Sequence, residues 1–250
     1  MYVNRTYRAS HALNRGRTSF CVSHRKSDLW VAVDSDSFCE DMPEVCLGIL
    51  VDMWAEMEHY LATDPDYARA LVPYAPRECA PEIFVRMSAA SSLAGIGPMG
   101  GVAAACSEYL AVRLAEQMPY REIIIENGGD VFALTTDSLD VAVWAGESPL
   151  SGKVGFRVPS EGRTVGVCTS SGTVGPSLSF GVADAVMVVC RDAVLADCLA
   201  TAYANRVQSA EDVESVAEAL GAEKEVLAAA VVKNDKIAIS GRLTPIFFKS

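Results

Sequence analysis

Two short apolar runs, Phe20-Cys-Val-Ser23 and Leu29-Trp-Val-Ala-Val33, flank the polar turn His24-Arg-Lys-Ser-Asp28 and predict a β-hairpin. Pro43 suits the first turn of a helix that runs to about Ala62, with Cys46, Leu47, Leu50, Val51 and Trp54 on one face. A second helix should begin near Pro81, and a third should run from about Pro98 to Met118. Beyond it the period changes. Ile123-Ile-Ile125, Val131-Phe-Ala-Leu134, Val141-Ala-Val-Trp144, Val154-Gly-Phe-Arg-Val158, Val165-Gly-Val-Cys168 and Ala185-Val-Met-Val-Val189 are short apolar runs between turns, which predicts a mainly antiparallel sheet. Helices return from Ala193 to about Val207 and from Glu211 to Leu220, and Lys236 to Ile239 reads as a closing strand after the Asn234-Asp235 turn. No linker-like stretch divides the chain, so residues 1–250 are expected to form a single α+β domain. The order β-α-α and then β again, met twice, would also allow a duplicated α+β unit.

Composition adds limits to this picture. A chain of 250 residues, half of them hydrophobic and 21% charged, can bury a sizeable core without disulfide or metal staples. Its net charge of -11 argues against nucleic acid and anionic membrane surfaces as partners. Arg5, Arg8, Arg15, Arg17, Arg25 and Lys26 precede the first acid, Asp28, which leaves 15 bases against 32 acids in the remainder. Such a start could meet an anionic ligand or be a solvated edge. The eight cysteines show no C-x-x-C spacing and mostly sit among apolar neighbours, so they read as buried thiols in a reducing compartment. The segment Met1-Tyr-Val-Asn-Arg5 has no apolar signal core, and the expected location is cytoplasmic.

Two long stretches, Met87 to Ser107 and Thr164 to Ala183, carry no charge at all. Both are broken by Gly, Pro, Ser and Thr, so neither is read as a membrane span. In the first, Gly95-Ile-Gly-Pro-Met-Gly-Gly101 feeds straight into a helix. Free first-turn amides, close backbone approach and the positive end of a helix dipole suit a phosphate at Met99, Gly100 and Gly101. The same small residues also suit tight helix packing. The second stretch offers hydroxyls at Thr169, Ser170, Ser171, Thr173, Ser177 and Ser179 around mobile glycine backbone, which suits a polyanion or a polar ring edge, or else an ordinary polar loop.

Glu126-Asn-Gly-Gly-Asp130 has the composition of a hairpin turn, with Asn127 and Asp130 at a strand edge where they could face a ligand. Asp197 and Thr201 stand at i and i+4 on one helix face among small apolar residues. A carboxylate beside a hydroxyl, with carbonyls nearby, is a hard oxygen site appropriate to Mg²⁺. Asp184 and Asp192 are further candidates. His11, His24 and His59 lie early in the chain, away from these loops, and Cys168 could act as a nucleophile or be an inert strand-end thiol.

Together these segments resemble the ApbE superfamily of FAD:protein FMN transferases, and most closely its soluble ApbE-like branch. The likeness runs through Arg5-Thr-Tyr-Arg8, Ser27-Asp-Leu-Trp30, Gly97-Pro-Met-Gly-Gly101, Glu126-Asn-Gly-Gly-Asp130, Cys168-Thr-Ser-Ser-Gly-Thr173, Ser179-Phe-Gly-Val-Ala-Asp184 and Ala196-Asp-Cys-Leu-Ala-Thr-Ala202. The resemblance implies an α+β fold, ApbE-like, with a duplicated T-fold-type antiparallel sheet, packed helices and additions. It implies that Asp197 and Thr201 ligate Mg²⁺, with Asp197 central to catalysis. It also implies that Asn127, Gly128, Gly129 and Asp130 lie near an isoalloxazine, and that Thr169, Ser170, Ser171 and Gly172 border the flavin. The transferases usually carry Lys-Gly-Tyr after the helix entrance and His-x-x-Asp-Pro after the T-S-G loop. Here the first place holds Gly101-Val-Ala-Ala-Ala105, and Pro176 stands where the soluble branch tends to have histidine.

The implied activity is that of an Mg²⁺-dependent enzyme that binds FAD and acts at its pyrophosphate, by FMN transfer to a protein acceptor or by hydrolysis. A non-catalytic flavin- or nucleotide-binding protein and a small-molecule enzyme using Cys168 stand as alternatives. The two uncharged loops are expected to meet in one pocket, because an acidic chain can admit a pyrophosphate only where its own carboxylates are absent or bridged by a cation.

Overall fold

The computed structural model of the protein describes residues 16–174 and 179–248. Arg5 to Arg8, Arg15 and His11, and likewise Pro176 and Ser177, therefore lie outside the described residues.

The N-terminal hairpin consists of β1 (Arg17–His24) and β2 (Ser27–Asp34), joined by a two-residue turn in which Arg25 takes a positive φ of 57°. Helices α1 (Met42–Thr63), α2 (Pro65–Arg69) and α3 (Glu82–Ala94) follow. A single 3₁₀ turn, Pro98–Gly101, leads into α4 (Val102–Gln117). Strands β3 (Ile123–Asn127), β4 (Asp130–Leu134), β5 (Leu139–Ala142), β6 (Val154–Val158), β7 (Thr164–Ser170) and β8 (Ala185–Cys190) come next. The chain closes with α5 (Ala193–Ala204), α6 (Val213–Ala222), β9 (Val226–Lys233), β10 (Lys236–Gly241) and β11 (Pro245–Phe247).

Eight strands form one antiparallel sheet in the order β1-β2-β3-β4-β7-β8-β9-β10, and β11-β6-β5 form a second. Each half of the large sheet has two strands, then helices, then two strands. The pairings Leu29↔Asn127, Val131↔Val167 and Ala185↔Val232 bring the β1–β2 and β3–β4 turns, the β7–β8 loop and the β9–β10 turn to one end of that sheet.

Both faces of the large sheet are covered. Val31, Ile125, Phe132, Cys168, Val188 and Val231 pack under the helices. Ala32, Ile124, Ala133, Val167, Met187 and Ala230 pack against Val143, Phe156 and Val158 on the side of the small sheet. Burial on both sides explains why these strands read as continuous apolar runs rather than as alternating patterns.

Several expectations are corrected here. The buried face of α1 is Met42, Cys46, Ile49, Leu50, Met53, Met57 and Tyr60, whereas Leu47 and Val51 stay about 40% exposed. The helix is apolar on more than one side, so sequence periodicity alone misplaces its inner stripe. The third helix opens as 3₁₀ rather than α-helix, and Val226–Lys233, an Ala-rich run, is a central strand. Cys46, Cys106, Cys168, Cys190 and Cys198 are buried free thiols, but Cys21 and Cys79 are exposed. Burial pushes the Cys46, Cys106 and Cys190 thiols up to about 12. Under native conditions iodoacetamide is expected to label Cys21 and Cys79 quickly, and the five buried thiols only after unfolding, as peptide mass spectrometry would read out. Among the described residues, no single helix is long and apolar enough to cross a membrane.

Candidate functional site

The uncharged entrance to α4 is a packing device before it is anything else. A Cβ on Gly97 would stand 1.8 Å from the carbonyl oxygen of Ala70, just past α2. One on Gly101 would stand 2.6 Å from Cys198 Sγ and 3.0 Å from Val194 Cγ1, both on α5. The glycines thus let the 3₁₀ turn lie directly on α5, with Met99 half-buried against the helical core. The small-residue packing reading applies to this segment.

Helix α5 is fixed at its start. Asp192 caps it by accepting from the Leu195 N–H at 2.9 Å, and Arg86 of α3 bridges Asp192 at 2.6 Å and Glu108 of α4 at 2.7 Å. The next turns carry Asp197 and Thr201 to a single segment. Asp197 Oδ2 accepts from the Ala104 N–H at 3.1 Å, while Thr201 Oγ1 donates to the Gly100 carbonyl at 3.4 Å. The i, i+4 spacing therefore does place both side chains on one partner. Burial pushes the Asp197 carboxyl up to about 7, against the opposing pull of the Ala104 and Ala103 amides. One expectation changes as a result. The sequence places a phosphate at Met99, Gly100 and Gly101, and the nearby first-turn amide of Ala104 is already turned to a carboxylate of the chain itself.

The β3–β4 connection is a two-residue turn, with Gly128 and Gly129 at φ 72° and 106°, values that favour glycine at both positions. Asn127 and Asp130 pair across it and share the helix-side face with Ile125 and Phe132. Asn127 Nδ2 donates to the Ala103 carbonyl at 3.1 Å, which ties the turn to α4. Asp130 Oδ1 accepts from the Thr169 N–H at 3.1 Å. Burial, then the charge of Asp197 and that of Glu126, hold the Asp130 carboxyl well above the usual carboxylate range. Glu126 lies on the opposite face of β3 and accepts from the Gly129 N–H at 2.7 Å.

The loop after β7 joins the site in a different manner from the one expected. Cys168 faces the helices, so strand alternation puts Ser170 on that side and Thr169 beside Met187 on the other. Thr169 reaches Asp130 through its N–H; its hydroxyl faces away, a parity that the sequence already contained. Ser171 Oγ accepts from the N–H groups of Thr173 and Val174 at 3.0 and 2.9 Å, and Gly172 N donates to Ala183 O at 2.8 Å. Thr173 Oγ1 donates to Asp184 Oδ1 at 3.0 Å. Ser171 and Thr173 thus shape the loop instead of offering unengaged hydroxyls to a ligand.

Cys168 is a poor nucleophile. Its fully buried Sγ lies 3.4 Å from the Ala193 carbonyl, and burial together with the Asp130 and Asp197 charges holds the thiol well above its usual range. The covalent-cysteine reading is set aside on that ground. Asp192 proves to be a helix cap and ion-pair partner. Among the described residues, no group of three or more His, Cys, Asp and Glu side chains is arranged to hold a metal ion. The oxygens set along the start of α4 are the Asp197 carboxylate, at the Ala104 N–H, and the Thr201 hydroxyl, at the Gly100 carbonyl, and the charge of Asp197 acts on Asp130.

The family described as AbpE bacteria matches residues 10–237. A UPF0280 protein of Methanocella arvoryzae is 38% identical over 202 residues, covering 81% of this chain and 82% of that protein. One of Methanothrix thermoacetophila is 35% identical over 204 residues, covering 81% and 85%. Among solved structures, the apo form of the Pseudomonas stutzeri flavinyl transferase ApbE aligns over 90% of this chain and 93% of its own, with a TM-score of 0.56 and 14% identity. The flavin transferase ApbE from Vibrio cholerae aligns over 90% and 97%, with a TM-score of 0.51 and 10% identity.

Proposed function

The chain belongs to the AbpE bacteria family, and from that membership we propose that it is an Mg²⁺-dependent enzyme that binds FAD and acts at its pyrophosphate. The observation that carries the reading is the pair of α5 side chains, Asp197 and Thr201, aimed at the glycine-rich start of α4. The fold shared with two flavin transferases supports it.

The donor set fits Mg²⁺. A buried carboxylate, a hydroxyl and a backbone carbonyl are hard oxygen ligands. Asp197 and Thr201 would hold the ion. When bound, Mg²⁺ supplies charge neutralisation at the pyrophosphate oxygens. The residues of the chain do the rest. The Ala104 and Ala103 amides favour the ionised form of Asp197 that metal binding needs. Asn127, anchored on Ala103, keeps the Gly128-Gly129 turn against the α4 entrance. Asp130, held by the Thr169 N–H, fixes the distance from that turn to β7. Ser170 is the loop hydroxyl on the same face of the sheet. Gly101-Val-Ala-Ala-Ala105 occupies the place of the transferase Lys-Gly-Tyr, so FMN transfer to a protein and hydrolysis by water are the two outcomes to separate.

The test is incubation of the purified protein with FAD and Mg²⁺, followed by chromatography of nucleotide products. Equal amounts of AMP and FMN, abolished by EDTA, are the expected result; AMP with protein-bound FMN would mean transfer. Retained flavin without AMP would reduce the protein to a binding module. No flavin binding with or without Mg²⁺ would end the reading.

A further inference from the structure

The loop that follows β7 is held by a carboxylate that the reading above does not use. Asp184, immediately before β8, is buried, and its side chain accepts three hydrogen bonds from two other segments. Thr173 Oγ1 donates to Oδ1 at 3.0 Å, Lys233 Nζ donates to the same oxygen at 3.1 Å, and the Asn234 N–H donates to Oδ2 at 2.6 Å. The ammonium of Lys233 offsets the cost of burying that charge, and the backbone donor uses its second oxygen.

These bonds have a geometric effect. Thr173 is also joined to Ser171 through its own N–H, and Gly172 to Ala183. Residues 171–173 are thereby fastened to 183–184, and Asp184 is fastened to the β9–β10 turn. The same backbone runs directly back into Ser170, which shares the face of Cys168, and Thr169, whose N–H holds Asp130. Asp184 itself lies on the helix-side face, two residues before Val186. Its hydrogen bonds run to the loop and to the β9–β10 turn, so the loop carries its influence to that end of the site.

We propose that Asp184 is a positioning residue: with Thr173, Lys233 and Asn234 it sets the register of the 169–173 loop, so that affinity for a flavin nucleotide depends on a carboxylate that does not touch it. The inference rests on the flavin-nucleotide reading. From sequence Asp184 is an oxygen-site candidate in a family-like segment, and Lys233 carries no signal, because their meeting depends on the pairing of β8 with β9.

Thr173 is exposed, so its substitutions test the idea without threatening the core. Thr173→Val removes the hydroxyl at nearly constant shape, and Thr173→Ser keeps it. FAD affinity, read by flavin fluorescence in the presence of Mg²⁺, is expected to fall about tenfold in Thr173→Val and to return in Thr173→Ser. Asp184→Ala is expected to lose more, with faster amide exchange at Gly172 and Thr173 but unchanged exchange at Ala104, which Asp197 holds. Wild-type affinity in both Thr173→Val and Asp184→Ala would overturn the positioning role while leaving the flavin reading intact. So would equal losses in Thr173→Val and Thr173→Ser. A wild-type chain that binds no FAD would overturn the flavin reading and this role with it.

Discussion

Asp197→Asn is expected to abolish the Mg²⁺ dependence of ligand binding and, in the ligand-free chain, to raise stability above about pH 7. Burial lifts the folded carboxyl from 3.8 to about 7, so between those values the folded state holds a proton that the unfolded state has released. Stability from this group is thus full at low pH, declines as pH rises through that window, and stays lost above it. At about 1.4 kcal/mol per pH unit the wild-type loss amounts to a few kcal/mol. The neutral amide of the variant can still accept from the Ala104 N–H and has no charge to bury. It also removes the charge that raises Asp130, whose carboxyl then moves back toward the ordinary range. Urea unfolding at pH 5, 7 and 8.5, with and without Mg²⁺, would read this directly. Wild type should gain from Mg²⁺ at the upper values, by about 2.7 kcal/mol at a hundredfold excess over Kd. An unchanged pH slope in the variant would contradict the burial argument.

Gly97→Ala is expected to be the most damaging single-atom change in the entrance, lowering stability by roughly 3 kcal/mol. The added carbon would stand 1.8 Å from the Ala70 carbonyl oxygen and 3.0 Å from the Leu71 Cα. Both are backbone, so no rotamer change can relieve the overlap. Gly100→Ala is the control, because its nearest neighbour is the tip of the Ile96 side chain at 2.5 Å, which can turn aside. A thermal midpoint that falls sharply for the first variant and little for the second would bear this out. Similar midpoints would show that the α2–α4 approach is looser than the distances state.

These two sites also show how far the sequence could be read. The glycines before α4 were visible as a segment needing close approach, but their neighbours, Ala70 and Cys198, are nearly 30 and 100 residues distant. Asp197 and Thr201 share a face because of local helical spacing, and that much was legible. That their common target is the start of α4 depends on how α5 lies across it. Thr169 is the reverse case. Its outward parity follows from the buried Cys168 next to it, yet a hydroxyl-rich run draws the eye to composition rather than to alternation. Val226–Lys233 carries no clear strand signal of its own, since Leu-Ala-Ala-Ala has helical propensity. Pairing with β8 and β10 on either side overrides it.

The β4–β7 pairing has a bearing on the order of assembly. In the first half of the sheet, joining Leu29 to Asn127 closes 98 residues of chain, whereas joining Ala185 to Val232 in the second closes 47. Twice the loop costs about 0.6 kcal/mol more in closure entropy, so the C-terminal half should be first to hold its shape during folding. Asp197 and Thr169 belong to that half, and Asp130 and the α4 amides to the other. The carboxylates come together only when the seam zips, from Val131↔Val167 to Leu134↔Thr164. A partly melted chain that has lost only this seam therefore retains much of its sheet while having no site.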